Sequence, residues 1–368
     1  MDISDLKQRV ICQHHFAVKH IYQSGQRKLL RKNAVPLKFI QLATDLVEDL
    51  VKQWAPLVWL APQERYFPQS AEDFLKNVYV GDGGGKRVMP YLDEKISRYK
   101  STDFNLMPYR SLESLQNDTT SFIFGNPDLN NVSIYAVVNH CATSLKRFEN
   151  EVLDNGDKLY FHVSYWIFYP YNLGKDICVL GKVPALRIFN TCLGNIKTIG
   201  NHVGDWEHMS LSFVGKNVPD QLYLAAHTSG AFYTYNEQQR YFKLDEIEKK
   251  SVHLGKYPEL IRTQGDHPVV FSAYGSHGMW GSPGVQEYVK VPKLTDMTGY
   301  GTPWKTWNNV KIYHIGHETL PSWMTFRGRW GNPKKSCLLI KKFGICEYSD
   351  GPTGIVRKKQ DFYCFVNA

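Results

Sequence analysis

Residues 200–208 read GNHVGDWEH, and within the seven positions from His202 to His208 they gather two imidazoles and two carboxylates around one tryptophan. Three chemistries fit such a cluster. His202, Asp205 and Glu207 offer hard oxygen donors and one nitrogen, a set that suits Mg²⁺, Mn²⁺ or Ca²⁺ better than zinc, which usually takes more His or Cys. The same groups could serve as a general acid and base. They could also neutralise one another as a structural network, with His202 and His208 paired to the two acids. Two adjacent carboxylates repel and are costly to bury without a partner, and a divalent cation offsets both at once. Spacing alone leaves the three alternatives open.

A strand over 205–213 would sort these side chains by alternation. Asp205, Glu207, Met209, Leu211 and Phe213 then share one face, while Trp206, His208, Ser210 and Ser212 share the other. The apolar half of the first face belongs in a core, which leaves Asp205 and Glu207 at its mouth. His202 precedes the strand on a Gly-punctuated turn that can fold it back toward them.

The rest of the chain supplies the frame. Short apolar and aromatic runs alternate with Gly, Pro, Asn and Asp, predicting strands near 56–60, 133–139, 159–169, 206–214, 221–227, 268–274, 310–315 and 338–343. That count and texture predict a mainly β fold, an antiparallel β-sandwich of jelly-roll kind. Residues 1–54 differ and form a helical N-terminal arm ahead of a β domain over 55–368. In PLKFIQLATDLVEDLVKQW (36–54), Phe39, Leu42, Leu46, Leu50 and Trp54 mark one stripe of an amphipathic helix, and Leu6, Val10 and Phe16 hint at an earlier one. RKLLRK (27–32) reads as a solvated basic loop. GDGGGK (81–86) lacks phosphate-loop spacing and reads as a turn. Residues 236–264 are charged and read as a helical surface insertion.

Aromatic residues reach 14% and hydrophobic residues 43% of the 368, enough for a substantial core. The formal charge of +9 is spread along the chain. It favours anionic surfaces such as membranes or acidic glycans, and gives no reason to expect nucleic acid. The seven cysteines form no CxxC pair. MDISDLKQRV carries no apolar leader, and no run approaches the roughly 18 apolar residues of a membrane span. These features predict intracellular synthesis without a signal peptide, with cytoplasmic, membrane-peripheral or nuclear placement and mostly free thiols. The sequons at Asn117 (NDT) and Asn131 (NVS) then have no consequence.

NHVGDWE is similar to the GHRHDWE heptapeptide of the necrosis- and ethylene-inducing-peptide-like cytolysins, and YWIFYPYN (165–172) resembles the aromatic strand before it. A longer series of blocks resembles the vacuolar protein sorting-associated protein 62 family. In order they are WAPLVWLAPQERYFP (54–68), YWIFYPYN, VGDWEHMSL (203–211), HTSG (227–230), VVFSAYGSHG (269–278), the DMTGYGTPW run (296–304), WMTFRGRWGN (323–332) and GPTG (351–354). The resemblance implies a β-sandwich. From the cytolysins it also implies a divalent cation on His202, Asp205 and Glu207, with Asn172 where the family carries an acid and Gly204 where it carries a second His. His208, His227 and His277 are further candidate ligands or partners of ligands. Arg327, Arg329 and Trp330 are candidates for contact with an anion or a sugar.

Three functions follow. The first is a non-enzymatic metal-assisted module that binds a glycan or lipid headgroup at a membrane surface. The second is a self-assembling structural protein, such as a viral occlusion-body or lattice protein, linked into homo-oligomers through residues 1–54. The third is a metal-dependent hydrolase using Asp205, Glu207 and His277, which ranks last because no nucleophile elbow or phosphate loop supports it.

Overall fold

In the computed structural model, the residues described are 37–89, 102–141, 159–181, 183–184, 187–188, 191–248, 256–289, 294–316, 320–337 and 346–364. The basic run 27–32, the earlier helix, Cys12 and the strand expected at 338–343 lie outside them. The fold is mainly β. Helix α1 (Leu37–Gln53) is followed by the strands of one large sheet. They are β1 (Leu57–Leu60), β2 (Ile134–His140), β3 (Tyr160–Asn172), β4 (His202–Val214), β5 (Gln221–Ala226), β6 (Ser229–Asn236), β7 (Tyr241–Ile247), β8 (Leu260–Gln264), β9 (His267–Ser272), β10 (Met279–Trp280), β11 (Pro303–Lys305) and β12 (Val310–His314).

The order across the sheet is β11-β1-β9-β8-β7-β6-β5-β4-β3-β2-β12, with β10 beside β9. Neighbours are antiparallel except β1 with β9 and β12 with β2, which are parallel. The strands therefore belong to one mixed sheet, where two stacked antiparallel sheets were expected. Strands β11 and β12 lie at opposite edges, yet only residues 306–309 join them. That link reaches no more than about 18 Å, whereas these strands laid flat would span about 48 Å. The sheet must curl until its edges approach.

Curling gives the sheet two unlike faces. The inner face buries Tyr165, Ile167 and Tyr169 of β3 and Met209, Leu211 and Phe213 of β4. Helix α1 fills the same core with Val47, Leu50 and Val51, joined by Trp54 just after it, and the Tyr165 hydroxyl donates to the Val51 carbonyl at 2.8 Å. Of the expected stripe, Leu50 and Trp54 are buried, but Leu46 is 39% exposed and Val47 and Val51 take its place, while the side chains of Phe39 and Leu42 lie outside those described. The outer face is aromatic. Tyr135, Trp166, Phe168 and Trp206 pack there with Phe74, Trp323 and Trp330.

Three local expectations change. Residues 241–247 and 260–264 within the supposed helical insertion are strands β7 and β8. Their charged residues suggested a helix, but inward Phe242 and Ile261 with exposed neighbours follow a strand's period of two. Short helices occur instead at Ala71–Leu75 and Leu112–Gln116. GDGGGK is a hairpin turn, as read, with Asp82 accepting from the amides of Gly84 and Lys86. The expectation of mostly free thiols is overturned. Six of the seven cysteines pair: Cys141–Cys364 joins segments 223 positions apart, whereas Cys178–Cys192 and Cys337–Cys346 close short local loops. With disulfides present, the sequons at Asn117 and Asn131 are no longer without consequence, and both residues are exposed. Among the described residues no helix is long and apolar enough to cross a membrane.

Candidate functional site

One end of the curled sheet is built by the start of β4, the finish of β3 and the loops that follow β1 and β9. Strand β4 pairs with β3 from His202↔Asn172 to Val214↔Tyr160, with one break. Gly204 would face Pro170, which has no N–H to donate, and Gly204 has φ +70°. A Cβ there would lie 2.1 Å from the Trp330 carbonyl oxygen. A histidine at this position, as the cytolysin heptapeptide has it, does not fit the fold.

Beyond that kink alternation holds. Met209, Leu211 and Phe213 enter the inner core, Trp206 joins the outer cluster, and Asp205 and Glu207 stay buried at the sheet's end, 7% and 6% exposed. His277, fully buried, lies against Asp205, with Nδ1 3.4 Å from Oδ2. Its Nε2 donates to the Tyr66 carbonyl at 3.1 Å, and its ring stacks on Tyr169 at 3.8 Å. Tyr169 in turn donates to Ser272. Glu64 closes this side by accepting from the amides of Arg65, Tyr66 and Gly275.

The two carboxylates differ electrostatically. Burial works to raise Asp205, but the His277 hydrogen bond and the nearby charges of His202 and His277 hold it below the ordinary carboxylate range. Glu207 is pushed well above that range by burial and then by the charge of Asp205. Among the described residues its carboxylate has no hydrogen-bond or ion-pair partner. His202 is pushed down by burial, and its Nδ1 donates to the Gly204 carbonyl at 2.7 Å, leaving Nε2 as the nitrogen available to a ligand. Asn172 donates from Nδ2 to the Gly200 carbonyl.

The ligand atoms of His202, Asp205 and Glu207 do not all lie within 4.8 Å of one another; among the described residues one other trio meets that condition, Cys141, His162 and Cys364. These three side chains would have to shift to share one cation. Glu207 has no protein partner among the described residues, so its oxygens would be open to a hard cation.

A second cluster beside the site is saturated. Asp296, with no exposed surface, accepts from His227 Nε2 (2.7 Å), Ser276 Oγ (2.7 Å), Trp280 Nε1 (2.9 Å) and Lys175 Nζ (2.8 Å). Burial works to raise Asp296, but the charges and hydrogen bonds of His227 and Lys175 hold it far below the carboxylate range. His227 also stacks on Tyr288 at 4.0 Å. His227 and His277 therefore converge on the same end of the sheet as Asp205. His208 does not: it lies on the outer face, stacked on Trp166 and donating to Asp361 at 2.9 Å.

Arg327, Arg329 and Trp330 form no shared surface with the carboxylates. Trp330 is buried between Phe74 and Trp206. Arg329 donates to the Gly351 carbonyl and lies 3.9 Å from Asp350, and the Arg327 carbonyl accepts from Arg357. Sequence reasoning singled out neither Asp296 nor Lys175 nor Glu64. Asp296 and Glu64 sit inside the DMTGYGTPW and WAPLVWLAPQERYFP blocks, which was the available signal.

The family model described as vacuolar protein sorting-associated protein 62 matches residues 28–243. Among curated proteins, the putative vacuolar protein sorting-associated protein TDA6 of Saccharomyces cerevisiae is 27% identical over 362 residues, covering 86% of this chain and 67% of that protein. Vacuolar protein sorting-associated protein 62 of the same yeast is 26% identical over 346 residues, covering 83% of this chain and 65% of that protein. The chain thus spans about two thirds of the length of these relatives. No solved structure matches. With more than half of its length matched by that model, the chain belongs to the vacuolar protein sorting-associated protein 62 family.

Proposed function

We propose that the chain is a non-enzymatic binding protein that takes a divalent cation between Asp205 and Glu207 and, through it, the anionic headgroup of a lipid or acidic glycolipid at a membrane surface. The observation that carries this reading is Glu207, buried beside a second carboxylate with no partner of its own among the described residues. Such a group is costly to hold, and a cation that shares its remaining positions with headgroup oxygens removes the cost. Asp205 and Glu207 hold the ion, His277 fixes the Asp205 carboxylate, and His202 adds a nitrogen once its ring turns. The cation supplies charge neutralisation and a bridge to phosphate or carboxylate oxygens. The net charge of +9 favours an anionic surface. The relatives' names supply a setting, sorting to the vacuole, and three disulfides suit a compartment that is not strongly reducing.

The test pairs metal analysis with vesicle binding. Purified full chain should carry close to one equivalent of Mg²⁺, Mn²⁺ or Ca²⁺. It should bind phosphatidylcholine vesicles doped with phosphatidylserine, and release them in EDTA. Glu207→Gln should lose both properties, yet melt in EDTA close to the wild-type temperature, because without a cation burial and Asp205 already favour the neutral form of Glu207, which Gln resembles. A wild type without stoichiometric cation, or one that binds vesicles equally well in EDTA, would refute the reading.

A further inference from the structure

Away from the carboxylates, on the outer face of the sheet, three side chains converge. Cys141 follows β2, His162 lies on β3 where it pairs with Asn139 of β2, and Cys364 lies in a C-terminal segment that crosses the sheet. His162 Nε2 is 3.4 Å from the Cys141 sulfur and 3.6 Å from the Cys364 sulfur. Among the described residues this is the one trio of His, Cys, Asp or Glu side chains whose ligand atoms all lie within 4.8 Å of one another. The segment ahead of Cys364 is strapped down by Asp361, which accepts from His208 and Ser210. Phe362 of the same segment packs with Tyr223 and Ala225.

In this structure Cys141 and Cys364 form a disulfide. A disulfide does not need a histidine at its side, since its sulfurs are weak acceptors. The two sulfur–nitrogen separations are those of a metal site. Zn–S bonds of about 2.3 Å and Zn–N bonds of about 2.0–2.1 Å at a tetrahedral angle place S and N about 3.5 Å apart. Opening the disulfide and rotating one side chain would bring the sulfurs to the roughly 3.8 Å that two zinc-bound thiolates require.

We propose that Cys141, His162 and Cys364 form a redox-alternating clamp: a disulfide under oxidising conditions and, after reduction by a dithiol, a zinc site of two thiolates and one imidazole with its fourth position open to water. The electron balance is simple. One dithiol gives two electrons to the S–S bond and closes to its own disulfide, and its two protons end on Cys141 and Cys364. Zinc then displaces those two protons to solvent as two Zn–S bonds form. Either state keeps the C-terminal strap, Asp361 to Cys364, fastened across β3, β4 and β5.

The test uses the full chain reduced with dithiothreitol, freed of reductant without oxygen, and loaded with Zn²⁺ or Co²⁺. Iodoacetamide labelling mapped by mass spectrometry should show Cys141 and Cys364 protected at least about tenfold by zinc. Cys178, Cys192, Cys337 and Cys346 should label at the same rate with and without it. Cobalt should add a thiolate charge-transfer band that is lost in His162→Gln, a variant that keeps both cysteines and should melt like wild type when oxidised. Zinc that leaves Cys141 and Cys364 as reactive as the other four, or protects them equally in His162→Gln, would overturn the proposal. The labelling of the wild-type chain decides the matter even if the variant folds poorly.

Discussion

At the scale of single residues, Asp296 and Glu207 show what a buried carboxylate needs. Asp296 has four donors, and Glu207 has none among the described residues. Asp296→Ala leaves Lys175 and His227 without their shared anion, so it should cost about 3–5 kcal/mol in urea unfolding. The sign of its pH dependence follows from its depressed pKa. A carboxyl held below its unfolded value of 3.8 adds stability that is fully present above that value and is lost as pH falls through the folded one. Wild type should therefore lose more stability than Asp296→Asn between pH 6 and pH 3 (conditions set by the ordinary carboxylate range), as read from melting temperatures; equal losses would show that Asp296 carries no such linkage. The sequence exposed Glu207 through the crowded DWE stretch. It hid Asp296, which is 91 positions from Asp205 by numbering and meets His227 and Lys175 through tertiary contacts alone.

At the scale of elements, the kink in β4 decides where the carboxylates stand. Gly204 has positive φ opposite Pro170, and its missing Cβ lets β4 pass against the Trp330 backbone. Gly204→Ala should cost about 2–4 kcal/mol, from backbone strain together with a collision against a carbonyl oxygen that cannot move aside. Equilibrium denaturation measures it, and a change under about 0.5 kcal/mol would mean the strand can straighten. Alternation along 205–213 was legible before the structure because a one-residue slip would expose Leu211 and Phe213. The β7–β8 region was not, because only Phe242 and Ile261 face the core strongly and the charged residues around them suit a helix as well as an exposed strand.

At the scale of the whole molecule, closure of the sheet and the disulfides act together. Cys141–Cys364 spans 223 positions and ties the C-terminal segment to β2, whereas Cys178–Cys192 and Cys337–Cys346 span 14 and 9. Loop-closure entropy assigns about 5 kcal/mol to the first and about 3 kcal/mol or less to each of the others. Cys141→Ser should therefore lower the oxidised protein's melting temperature more than Cys192→Ser or Cys346→Ser does, by calorimetry under one set of conditions. The reverse order would place the stabilising constraint in the short loops.

The sequence alone determined the mainly β character, the helix leading up to Trp54, the two faces of β4 and the hard-donor character of Asp205 and Glu207. Each of these is a local property, fixed by side-chain period or by chemistry within a few residues. Only the tertiary structure decided that the strands make one curled sheet, that six cysteines pair, and that His277 meets Asp205 while His208 turns to the opposite face. It also decided that Trp330 is core and that Asp296 is saturated while Glu207 is not. Those outcomes depend on residues far apart in the chain that meet once the sheet's edges approach, and no local pattern encodes which distant donor will reach which buried acid.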